Sequence, residues 1–138
     1  MTKAIDLFSA FSTDAQKESE GIETTLPGCG DTKFRVARAG NKNYNRTLAA
    51  LYKKHRVTLE SKGDEAEAKS NELLADVYAE TLLLGWSGTI QFQGKAEPYS
   101  KAIAKKLLTL KEFRAVVDQV AQDFQSFKTV QDEEDLGN

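Results

Sequence analysis

A chain of 138 residues is long enough for a single domain with an ordinary hydrophobic core, with no need of a metal or a disulfide to hold it. One Cys excludes an internal bridge, one Cys with one His cannot supply the ligands of a zinc-type site, and no apolar run nears the roughly 20 residues of a membrane helix. The formal net charge of -2 is too small for the overall field to draw nucleic acid or an acidic membrane. Met1 to Asp6 place an acid where a signal peptide carries its apolar core, so the expectation is a soluble protein that stays in the cytoplasm.

In chain order, residues 1–20 mix Ile5, Leu7, Phe8 and Phe11 with Ser, Thr and acids. Those four side chains can share one face of a short helix, which is marginal alone and needs a surface. This segment is expected to be flexible or partner-binding, and Phe8 and Phe11 are its candidate contact residues. Ile22–Leu26 and Lys33–Arg38 then alternate apolar with polar around the turn Pro27–Asp31, the signature of a β-hairpin. From Asn43 to Leu59 the apolar residues Tyr44, Leu48, Leu51, Tyr52 and Leu59 recur at helical spacing, with His55 on the same stripe. Ser61–Lys69 reads as a polar connector or helix end, and Leu73–Leu84 as a second helix, apolar round more than half its girth.

Gly85-Trp86-Ser87-Gly88 reads as a break joining two packed helices, followed by one short strand at Thr89–Phe92. Ser100 suits an N-cap for a helix carrying Ile103, Leu107 and Leu108. Thr109 and Glu112 stand at capping-box spacing, and the last helix carries Phe113, Val116, Val117, Val120, Ala121, Phe124 and Phe127. The fold class expected is mainly α: about four amphipathic helices with a small N-terminal hairpin, in one domain spanning residues 21–128. Residues 129–138 are expected to form an acidic, disordered tail.

Chemistry is sparse. Cys29 lies among glycines beside Asp31, an acid that would raise its pKa, and His55 sits among Lys53, Lys54 and Arg56. The carboxylate clusters fall in polar segments with no apolar wall to tune them. No catalytic residue, metal site or cofactor is expected, and the chain is not read as an enzyme. Lys33 to Arg56 holds eight basic residues and no carboxylate, whereas Asp132–Asp135 is wholly acidic. Solvated faces are one reading, and salt-sensitive self-association of tail on basic face is the other. Arg35 and Arg38 join the candidate contact residues on that ground. Phe34 is the one aromatic that could stack a base beside these cations, but the acidic whole argues against a nucleic-acid partner. Trp86 reads as a core plug or as a binding anchor.

Several stretches, taken in order, resemble the tail assembly chaperones of long-tailed, siphovirus-like bacteriophages. They are Thr32–Tyr44, Val77–Thr81 leading into Gly85-Trp86, then Pro98-Tyr99-Ser100, and the closing run Phe113, Val117, Ala121, Phe124, Phe127 with Gly137-Asn138. The resemblance covers most of the chain and departs at Gln91–Lys95, where many relatives are more acidic. On it, Gly85, Trp86, Pro98, Tyr99 and Ser100 are the family-motif residues. It implies binding of the tape measure protein in the host cytoplasm while the tail tube assembles, and absence from the mature virion; self-association, with no nucleic acid and no membrane as partner, is the expectation from the charge pattern and composition above. The resemblance also implies a longer form, made by ribosomal frameshifting near Leu136-Gly137-Asn138, that recruits tail tube protein. The alternative is a small structural head-tail connector or other virion interaction protein.

Overall fold

Two short helices come first in the computed structural model, which describes residues 4–129. Helix α1 (Leu7–Phe11) starts at Asp6 and α2 (Ala15–Glu20) at Asp14; each carboxylate accepts backbone N–H groups that a first helical turn leaves unpaired. Helix α2 stops at Gly21, whose φ is +89° and where a Cβ would meet Arg35 Cγ at 2.9 Å and the Val36 carbonyl at 3.1 Å. Only glycine lets the chain turn there against the neighbouring strand.

Strand β1 (Ile22–Thr24) pairs antiparallel with β2 (Phe34–Val36), Ile22 opposite Val36. The other edge of β2 pairs antiparallel with a third strand, β3 (Leu83–Trp86), which sets Phe34 opposite Trp86. This corrects the reading of Gly85-Trp86 as a connector between helices. A two-stranded hairpin leaves the backbone groups of both edges unpaired, and the short apolar run after the central helix supplies the missing partner. A run of four apolar residues fits a buried strand as well as a helix end, so periodicity alone could not separate them.

Helix α3 (Lys42–Lys54) is capped by Asn41, whose side chain accepts from Tyr44 N–H at 2.9 Å and donates to the Arg38 carbonyl at 2.7 Å. The one helix expected from Asn43 to Leu59 is broken at His55, and α4 (Arg56–Glu60) follows, bringing Leu59 beside Leu73 and Leu74 of the next helix. That helix, α5 (Asp64–Thr81), begins inside the stretch expected to be a polar connector. Asp64, Glu65 and Glu67 stand in its first turn, where the helix dipole favours acids.

Thr89–Phe92 is not a lone strand. It is β4, paired with β5 (Lys95–Pro98) through Gln93 and Gly94, both with positive φ. That is the backbone of a two-residue type I′ hairpin loop. Helix α6 (Lys101–Leu108) starts at Ser100, whose Oγ accepts from Ile103 N–H at 3.1 Å. Helix α7 (Lys111–Gln122) begins without a side-chain cap, because Thr109 Oγ1 donates back to the Lys106 carbonyl at 2.6 Å and the Thr109–Glu112 box does not form. Asp123 ends α7 by capping a 3-10 turn at Phe124–Phe127, so the expected continuous helix to Phe127 is interrupted.

The fold is mixed, with seven α-helices and five strands in two antiparallel sheets among the described residues, and the expectation of a mainly α, four-helix fold is overturned. The core joins Phe34, Val36 and Leu83 of the larger sheet to Tyr78 and Leu82, Leu108 of α6 and Val117 of α7. Ala75, Ala79 and Ala104 are fully or almost fully buried and let α5 and α6 approach closely. Arg114 fastens the α6–α7 turn by donating to Asn71 Oδ1 at 2.7 Å and the Leu108 carbonyl at 2.9 Å.

The N-terminal segment is tied to the far end of the described chain. Asp14 N–H donates to the Phe127 carbonyl at 2.8 Å, Thr129 N–H to Ser12 at 3.1 Å, and the Phe11 and Phe124 rings stack at 5.4 Å. The acidic run Asp132–Asp135 and the closing Leu136-Gly137-Asn138 lie outside the described residues.

Candidate protein-binding groove

Helices α3 and α6 lie on either side of α5 and leave a groove of about 570 Å³ between them. Its apolar lining is made of Ala50, Ala79 and Ala102 with Leu51 and the Thr47 methyl, and the lack of bulk at the three alanines keeps the space open. Charged groups form the rest. Lys105 Nζ pairs with Asp76 Oδ1 at 2.7 Å, and Lys101 pairs with Glu80. Arg46, exposed on α3, has no ion-pair partner among the described residues. Three cations against two carboxylates leave the lining with a small positive excess. A second apolar groove of about 260 Å³ lies between α3, α4 and α5, lined by Leu48, Leu51, Tyr52, Leu59, Leu73 and Leu74. With grooves on both sides, α3 is an amphipathic helix that has no buried residue.

Neither lysine of the groove is tuned as a nucleophile. The hydrogen bond from Lys101 to Glu80 raises the lysine's pKa, and the bond to Asp76 does the same for Lys105. Both amines are kept protonated, the opposite of the lowered pKa a nucleophilic lysine requires. Burial raises the Cys29 thiol as well, which moves it away from the thiolate form. Among the described residues no group of three or more His, Cys, Asp or Glu could hold a metal ion, and no helix is long and apolar enough to cross a membrane.

The residues singled out in the sequence do not line this groove. Phe8 is 85% exposed on α1, and Phe11 is 64% exposed while stacked on Phe124. Arg35 donates to the Glu20 and Gly21 carbonyls and pairs with Glu23 at 3.5 Å; Arg38 pairs with Glu18 at 2.8 Å. Both arginines thus fasten α2 to the larger sheet. Trp86 is buried, with Nε1 donating to the Glu97 carbonyl at 3.2 Å and its ring edge-on to Tyr99 at 5.0 Å. Gly85 pairs with Arg35, Pro98 with Thr89, and Ser100 caps α6, so the motif residues form the joint that sets the β4–β5 hairpin against the larger sheet. Phe34, weighed as a stacking platform, is 3% exposed and packs on Trp86 and Phe113. Sequence reasoning missed the groove because its signal is small residues on the exposed flank of amphipathic helices, as in Lys101-Ala102, where attention goes to the large apolar positions.

A family model described as YdaY prophage protein matches residues 39–138. The chain belongs to the YdaY prophage protein family. It is therefore phage-derived, and the family match spans all residues that line the groove while leaving α1, α2, β1 and β2 outside. Neither a curated protein nor a solved structure matches this YdaY-family chain.

Proposed function

We propose that this YdaY-family protein is a tail assembly chaperone: without catalysis, cofactor or metal, it binds the tape measure protein in the host cytoplasm and keeps it soluble while the tail tube assembles. The observation that carries the reading is the open groove between α3 and α6, with its alanine-rich lining and charged groups. An amphipathic helix can lay its apolar stripe in such a groove, and a tape measure protein is a long helical polymer that repeats such a stripe. Many weak, equivalent contacts along one cargo give high avidity without a strong single site. Family membership in a prophage group supports a role in phage assembly. The reading includes a longer frameshifted form that recruits tail tube protein, no nucleic-acid or membrane partner, and absence from the finished particle.

Co-expression of this chain with the tape measure protein of the same prophage is the test. The expected result is a soluble complex that is lost on Ala102→Glu, a substitution on the groove wall at an exposed position near the start of α6, where an acid suits the helix dipole. Tape measure protein that stays insoluble beside well-folded wild-type chain would overturn the reading. Recovery of the chain from purified virions by mass spectrometry would favour a structural head-tail connector instead.

A further inference from the structure

Among the described residues the most exposed apolar cluster is the N-terminal arm: Ile5, Leu7, Phe8 and Phe11 are 73%, 64%, 85% and 64% exposed. Water-facing side chains of this size within one short segment mark an interaction surface. Leu7, Phe8 and Phe11 stand at the i, i+1 and i+4 positions of α1, a spacing that presents one apolar edge to a groove. From Ala4 to Gln16 the arm carries Asp6 and Asp14 and no basic residue. The groove between α3 and α6 is complementary in both respects, with an apolar lining and a small positive excess that comes from Arg46, since Lys101 and Lys105 are paired with Glu80 and Asp76. The arm does not fill its own groove, since Leu7 and Phe8 are exposed while Phe11 stacks on Phe124 and Ser12 is bonded to Thr129.

We propose that the arm of one copy docks in the α3/α5/α6 groove of the next. The contact joins two different patches, so it is heterologous and propagates head to tail, into an open chain or a closed ring. The hydrogen bond holding Ser9 to Asp6 lowers the Asp6 pKa, so the arm keeps its negative charge through the neutral range. In the free protein the neighbour's arm covers the groove's apolar lining, and a cargo helix must displace it. The inference rests on the groove being a helix-binding site, as in the proposed function, and not on the identity of the cargo.

Analytical ultracentrifugation of the full chain without cargo tests it. Wild type is expected to sediment as a concentration-dependent series above the monomer, and Phe8→Asp and Ala102→Glu each as monomers with unchanged circular dichroism. An equimolar mixture of the two variants retains one intact arm and one intact groove, and is expected to form a dimer and stop there. That rescue cannot come from misfolded chains. A wild-type chain that is monomeric throughout, Ala102→Glu that associates as wild type does, or a mixture that stays monomeric would each overturn the proposal. Because no cargo is present, none of these results depends on the tape measure reading, and loss of cargo binding with normal self-association would count against that reading alone.

Discussion

Gly21 and Tyr78 show how much single positions carry. At Gly21 φ is positive, and behind the nearest atom, Arg35 Cγ, stands the main chain of Val36 at 3.1 Å, which cannot rotate away. Gly21→Ala combines backbone strain with a close contact and is expected to cost about 2 kcal/mol, read as a drop in the midpoint of urea unfolding. Tyr78, almost fully buried on α5, donates its hydroxyl to Asp118 Oδ1 on α7 at 2.7 Å. Burial first, and this bond second, hold the phenol's proton well above its ordinary value of 10.0. The unfolded chain therefore loses this proton before the folded one does. The stabilisation is fully present below pH 10 and is lost as pH rises toward the folded-state value. Tyr78→Phe is expected to cost about 1.5 kcal/mol at neutral pH and to flatten the fall in stability above pH 10, as thermal melts across that range would show.

Among the elements, the β4–β5 hairpin shows most plainly what was legible and what was not. Its first strand was readable from Thr89–Phe92, but the loop places Gln, not Asn or Asp, at the first left-handed position, φ +50°. The turn signal was therefore too weak to reveal a partner strand in the polar residues Lys95–Pro98. Gln93→Asn is expected to stabilise the protein by about 0.5 kcal/mol, part of the roughly 1–2 kcal/mol an L-residue loses there; a raised melting temperature is the readout. The β1–β2 pairing and the Ser100 cap were legible because alternation and capping are local rules. The third strand and the break at His55 were not, since both depend on which surfaces meet across the fold. The groove escaped for a related reason, as it is defined by what three helices leave uncovered.

For the whole molecule, burial is uneven. Helix α5 buries Leu73, Ala75, Val77, Tyr78, Ala79 and Thr81, whereas α3 and α4 bury no residue. Local opening takes least free energy where few side chains are buried. Hydrogen exchange followed by mass spectrometry is expected to show α3 and α4 exchanging well before α5, with slower exchange in α3 once the groove is filled. Equal protection along α3 and α5 would contradict this picture. The only Trp of the chain adds a different consequence. Its indole is enclosed by Phe34, Tyr99 and the Glu97 carbonyl, at the joint between the larger sheet and the hairpin, and does not line the groove. Its fluorescence is thus a built-in optical gauge of that joint: a red shift in emission signals the hairpin lifting away, while the opening of α3 and α4 leaves the colour of the light unchanged.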